Sequence, residues 1–136
     1  MEFVYPWGTE ITHDNANYVG IGGRDQWDKG TAPIGSFDPN GYGIYDIAGN
    51  VWEWCLDEWE QDFYTRSPIS NPVAGHTNIN EVMNNYKDIS SNRVLRGGAW
   101  ISPEENLRVA NRYVAYDSPE NMSGYDGFRC AADIEQ

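Results

Sequence analysis

Cysteine is nearly absent from this sequence: Cys55 and Cys130 are the two in 136 residues. Two are too few for a disulfide framework or a thiolate zinc site, and on count alone their pairing with each other stays open. Basic residues are scarce as well. Nine Lys and Arg against 21 Asp and Glu give a formal net charge of -12. That excludes nonspecific nucleic-acid binding, which depends on Lys and Arg neutralising phosphates, and docking on anionic membrane surfaces. Cations are the more natural partners. No apolar run approaches the ~20 residues of a spanning helix, and Met1-Glu2-Phe3-Val4 lacks the basic start and apolar stretch of an export signal, so no compartment is indicated. Histidine is limited to His13 and His76, which lie in polar, loop-like surroundings and read as surface residues rather than a metal pair. The Gly-x-Ser-x-Gly elbow of serine hydrolases is missing.

Aromatic residues and glycine are plentiful by contrast. Six Trp and nine Tyr predict an aromatic-rich core in one domain over residues 1–136, a length that buries about two thirds of the unfolded surface. Fourteen Gly and seven Pro leave little room for helix. The longest expected helix lies between Asn78 and Tyr86, with a further turn at Ser102-Pro103-Glu104-Glu105, where Ser102 would be the N-cap and Pro the first helical residue. Strands are expected at Arg93–Arg96, Arg108–Val114 and Gly127–Ala131. The polar stretch from Asp62 to Ser91 reads as a long surface excursion. The class is α+β with low regular secondary structure, short antiparallel strands and long loops.

The densest stretch is GYGIYDIAGNVWEWCLD, Gly41 to Asp57. Pro39-Asn40-Gly41-Tyr42-Gly43 is turn chemistry. From Val51 the pattern alternates, with Val51, Glu53 and Cys55 on one face and Trp52, Trp54 and Leu56 on the other, as in a half-buried strand. Glu53, between two tryptophans, needs a partner if it is withdrawn from water. One reading pairs it with an arginine such as Arg96 or Arg129 while Asp46 caps a turn.

Four landmarks in order resemble the formylglycine-generating enzyme family, also called sulfatase-modifying factors. They are Tyr5-Pro6-Trp7-Gly8, Pro39 through Trp54, Arg93-Val94-Leu95-Arg96-Gly97-Gly98, and Gly127-Phe128-Arg129-Cys130. The resemblance implies an irregular, C-type-lectin-like fold with bound calcium. It places a calcium ion on the side chains of Asp46 and Glu53 and the carbonyls of Gly49 and Val51, in keeping with the six to eight hard oxygens that calcium takes. A second family site would draw on Asn17 and Tyr18 and on an acidic loop before Gly30-Thr31-Ala32-Pro33. There Gln26 stands where an aspartate is expected, with Asp25 and Asp28 on either side as substitutes.

Departures from the family pattern shape the functional expectation. In the oxidases of the family, two cysteines after the Arg-Gly-Gly motif bind copper; Ser102 and Leu107 stand at those positions, and Ala99 replaces a serine. A hydroxyl does not replace a soft thiolate on Cu(I), so copper is not expected. The chain also starts four residues before Tyr5, where the family has a longer N-terminal portion. Aromatic surface covered by that portion would be exposed here and would favour self-association. The expectation is a noncatalytic, calcium-stabilised module that binds a protein, peptide or small molecule. Trp52, Trp100, Ser102, Arg108 and Arg112 are the candidate ligand contacts, on a surface from Ala99 to Tyr125 whose Asn, Tyr and Ser content suits adaptable recognition. The alternative is a remnant of a formylglycine-generating oxidase that needs a missing half or partner.

Overall fold

The computed structural model describes residues 3–70, 72–75, 78–85, 91–116 and 123–130. His76 and Tyr86 lie outside them. Four short strands form a mixed sheet among the described residues: β1 (Trp52–Glu58), β2 (Arg93–Arg96), β3 (Tyr113–Ala115) and β4 (Asp126–Gly127), in the order β3-β2-β1-β4. β1 pairs antiparallel with β2, and β2 with β3, whereas β4 lies parallel to β1. The expectation of antiparallel strands alone is corrected by that last pair.

β2 forms where the sequence predicts it, and its residues Arg93, Val94 and Leu95 are all buried. β1 begins as the alternation requires but does not keep it. Trp54 pairs with Leu95 and Glu58 with Arg93, so β1 advances four residues while β2 advances two. The bulge re-aims the strand, and Leu56 emerges 39% exposed instead of staying with the tryptophans. Two strands are shorter than expected. Arg108–Asn111 is a turn closed by the Asn111 N–H donating to the Arg108 carbonyl at 2.9 Å, which leaves Tyr113–Ala115 as strand. At the C-terminal end, pairing stops at Gly127, and Phe128 is 71% exposed.

One α-helix, α1 (Ile79–Asn85), falls inside the expected span. Asn78 caps it, its side-chain oxygen accepting from the Glu81 N–H at 3.1 Å. The turn at Glu104–Leu107 is a short 3-10 segment without a side-chain cap. Ser102 is turned the other way, its hydroxyl oxygen accepting from the Ala99 N–H at 3.0 Å. The excursion after Asp62 is tied back, midway and just past its end, to the last residues of β1 and to Trp59. Asp57 accepts from the Ala74 N–H at 3.1 Å, and the Trp59 N–H donates to the Asn92 carbonyl at 2.7 Å.

The buried apolar residues form two clusters. Tyr5, Ala16, Tyr18, Ala48 and Leu107 form one, with Val4, Trp7 and Ile11 against it; Trp52, Leu95, Ala99 and Ala115 form the other, with Trp54 against it. Gly98 explains why a glycine pair follows β2. Its φ is +77°, and a Cβ there would stand 2.6 Å from Leu107 Cδ1, so the backbone itself packs on the first cluster. No helix among the described residues is long and apolar enough to cross a membrane.

Candidate functional site

Loop 46–50 curls tightly just before β1. Asp46 (φ +51°) and Asn50 (φ +68°) are left-handed although neither is glycine, and Gly49 (φ +78°) joins them. Such backbone persists only where its surroundings hold it and is common at functional loops. The ties are explicit: the Gly49 N–H donates to the Gly97 carbonyl, the Asn50 N–H to the Asn17 carbonyl, both at 2.8 Å, and the Trp100 N–H to the Asn50 carbonyl at 2.9 Å. The curl therefore joins the Asn17 segment to the Arg96-Gly97-Gly98 motif.

Within this loop Asp46 Oδ2 accepts from the Gly35 N–H at 2.8 Å, while Asp46 Oδ1 is buried without a hydrogen-bond partner. Glu53, at the head of β1, faces Arg129. The guanidinium donates from Nε to both carboxylate oxygens at 3.0 and 3.1 Å and from an Nη to Oε1 at 2.6 Å. The same Nη reaches the carbonyls of Tyr45 and Asp46 at 3.0 and 3.2 Å. A positive charge thus lies among one carboxylate and two carbonyls, and the Glu53 hydrogen bond holds the Arg129 guanidinium above its ordinary pKa. Arg96, opposite Glu53 in the β ladder, turns away to the carbonyls of Val109 and Asn111 and to the Tyr64 hydroxyl.

The second acidic neighbourhood is built differently. Asn17 is fully buried; its amide donates to the Gly30 carbonyl at 3.0 Å, and its Oδ1 is buried without a partner. Asp25, 1% exposed, accepts from the Tyr18 and Trp27 N–H groups and meets His13 Nδ1 at 3.1 Å. His13 is therefore not the surface residue its polar neighbours suggest. Its ring stacks on Tyr18 with centroids 4.0 Å apart. Asp28 is exposed. Among the described residues, no three His, Cys, Asp or Glu side chains converge as a metal cluster.

A cleft of about 390 Å³ opens over the sheet on the Trp52 side. Trp52 and Trp54 border it from β1, Tyr113 from β3 and Asp126 from β4, with Ser102 and Tyr125 alongside. Trp52 and Tyr113 stack with ring centroids 5.0 Å apart. Of the expected ligand contacts, this cleft brings together Trp52 and Ser102. Trp100 spans to the Gly124 carbonyl, Arg108 lines a separate cavity with Gly97 and Leu107, and Arg112 stacks between Trp59 and Tyr64 beside Cys55. Leu107 is 1% exposed in the apolar cluster, so one of the two positions after the Arg-Gly-Gly motif is core and the other is a turn hydroxyl. Both cysteines are free thiols.

Trp54 and Asp126 border the cleft but are not among the expected ligand contacts. The alternation in β1 points to Trp54, because Trp52 and Trp54 share a face; nothing local points to Asp126, which arrives through a two-residue parallel pairing 74 positions from its partner Trp52.

Residues 2–134 match the sulfatase-modifying factor enzyme 1-like domain. A formylglycine-generating enzyme of Thermomonospora curvata is 37% identical over 144 residues, covering 95% of this chain and 43% of that relative. A serine/threonine-protein kinase pkn1 of Chlamydia caviae is 36% identical over 131 residues, covering 96% of this chain and 18% of the kinase. In three dimensions the chain resembles PvdO from Pseudomonas aeruginosa with a TM-score of 0.65 and 29% identity, over 93% of this chain and 43% of that one. The chain thus spans less than half the length of these relatives. With a match that runs nearly end to end and a fold to go with it, the chain belongs to the sulfatase-modifying factor enzyme 1-like family.

Proposed function

We propose that this chain is a noncatalytic binding module of the family, with a C-type-lectin-like plan, held together by calcium and using the aromatic cleft to take a ligand. The observation that carries this reading is the fate of the two positions after the Arg-Gly-Gly motif. Ser102 is buried and bonded to Ala99, and Leu107 fills the core. Neither supplies the thiolate that Cu(I) prefers.

For calcium, the orphaned Asp46 Oδ1 and the left-handed backbone at Asp46, Gly49 and Asn50 support a hard-cation site at the curl. Asp46, Glu53 and the carbonyls of Gly49 and Val51 would hold it, with Glu53 released from Arg129. The orphaned Asn17 Oδ1 supports a second site with Tyr18; Asp25 is already engaged by His13 and two amides, which makes it the weaker donor there.

The test pairs thermal unfolding with chemistry. Calcium at a hundred times its dissociation constant stabilises by about 2.7 kcal/mol, so the melting temperature rises by several degrees over chelator, and Asp46→Asn removes most of the rise. Equal melting curves in both media would sink the calcium reading. Stoichiometric Cu(I) uptake with oxygen consumption on a cysteine-containing sulfatase peptide would favour the oxidase instead.

A further inference from the structure

The aromatic cleft holds a carboxylate whose charge is only partly answered. Asp126 Oδ2 accepts from the Ser123 hydroxyl at 2.6 Å, while Asp126 Oδ1 is buried without a hydrogen-bond partner. Among the described residues no Lys or Arg lies within ion-pair distance of Asp126. Trp54 Nε1, on the same wall, is a buried donor that also lacks a partner. Around them stand aromatic faces, the stacked pair Trp52 and Tyr113 and the more exposed Tyr116 and Tyr125, which are 76% and 40% exposed. Most buried polar atoms find partners, so two orphans of opposite type on one cleft call for an explanation.

We infer that the cleft recognises an alkylammonium group, a lysine side chain or a free amine. Aromatic faces attract cations through their quadrupoles, most strongly where water is excluded. A carboxylate beside those faces adds charge without requiring direct contact, since Coulomb attraction near a protein surface still acts over several ångströms. The chain's net charge of -12 draws basic partners toward it. A cleft of about 390 Å³ accepts a ligand of lysine size with room for its neighbouring amide. An anionic ligand would be repelled by Asp126, and a neutral one could donate a hydrogen bond to it but would leave its charge unbalanced; an ammonium, a donor only, answers Asp126 and not Trp54 Nε1. The inference rests on the binding-module reading and adds the chemical class of the ligand.

The whole chain is titrated by tryptophan fluorescence with Nα-acetyl-lysine methylamide, with its Nε-acetylated neutral counterpart, and with phenethylamine. The charged lysine amide is expected to bind about tenfold or more tightly than its neutral counterpart, the loss that follows a missing charged partner. Asp126→Asn should remove that preference. Because Asp126 also bonds Ser123, Tyr116→Ala at the exposed rim is the second variant, expected to weaken the ammonium ligand severalfold at an unchanged melting temperature. Binding of phenethylamine as well marks free amines as a source, and binding of the lysine amide alone marks a peptide side chain. Equal binding of the charged and neutral probes, no binding of either amine, or full retention of the preference in Asp126→Asn overturns the inference. Oxygen consumption on a cysteine peptide would overturn the binding-module reading as well, whereas failure of the amine titrations without it overturns the ligand class alone.

Discussion

Gly49→Ala is the sharpest probe of the curl. A Cβ at Gly49 would stand 2.4 Å from the Asn17 carbonyl oxygen, 3.1 Å from its carbon and 3.2 Å from Ala16 Cβ, all on the neighbouring segment and none a flexible side-chain end. At φ +78° the substitution first costs about 1–2 kcal/mol for a left-handed residue bearing a Cβ. The clash then forces Asn17 away, stretching the hydrogen bonds that flank it, Asn50 N–H to Asn17 and Gly49 N–H to Gly97, at about 1 kcal/mol each. Lower entropy of the unfolded chain returns about 0.4–1 kcal/mol. The net loss is about 2–3 kcal/mol, which moves a urea midpoint by about 1–2 M at ordinary slopes. Gly43→Ala is the control. Its φ is +77°, almost the same, yet nothing lies within 4 Å of its Cβ position, so strain alone applies and the loss is about 1 kcal/mol or less. Tryptophan fluorescence during urea unfolding reads both. Equal midpoint shifts for the two variants would refute the close approach of the Asn17 and Gly49 backbones.

Further expectations follow from the ion pair and the buried hydroxyls and thiol. A double-mutant cycle of Glu53→Gln and Arg129→Gln should give a coupling of about 1 kcal/mol, modest because both side chains are partly solvated. Excess calcium should lower the coupling if the ion draws Glu53 away; a coupling of zero in chelator would rule out the pair. In alkali, burial pushes the Cys55 thiol up, only partly offset by Arg96, and burial likewise raises Tyr5 and Tyr18, with Glu104 adding to both. A raised folded pKa stabilises the protonated form, so that contribution is full below the unfolded value and is lost as pH rises through the folded one. Stability measured by urea unfolding should therefore decline above about pH 9 and further above pH 10, and Cys55→Ser should remove the first part of the decline. A flat profile to pH 11 would refute the burial of these groups.

What could be read from the residues was local. β2, α1 and the start of β1 follow from period, capping and β-branched or aromatic content, and the pairing of Glu53 with an arginine was one of two readings that its position between tryptophans allowed. Misreadings came from side chains whose hydrogen-bond and ring partners, near or far along the chain, the local pattern does not reveal. The alternating look of Arg108 to Val114 comes from arginines and asparagines that serve carbonyls and rings: Arg112 stacks on Trp59 and Tyr64, and Asn111 donates to the Asn106 carbonyl. Ser102 looks like a helix cap, but the turn at Ala99 takes its hydroxyl first. His13 and Asp25 are 12 residues apart and meet only because the intervening glycines let the chain fold back, Gly20 and Gly22 lying against the imidazole. Asp126 needed knowledge of a parallel pairing that no short-range pattern carries.

The brief β4 strand connects two chemistries through very little chain. Asp126 borders the cleft, and three residues later Arg129 grips Glu53 and the carbonyls of Tyr45 and Asp46. Glu53 itself pairs with Gly127 in the ladder, so both ends of the ion pair hang from the same two-strand seam. Asp126 and the Arg129–Glu53 pair thus share the same few residues of backbone. Were the proposed ion to bind at the curl and the proposed ligand in the cleft, both would act on this one short segment, and any influence of the first on the affinity of the second would be returned in equal measure.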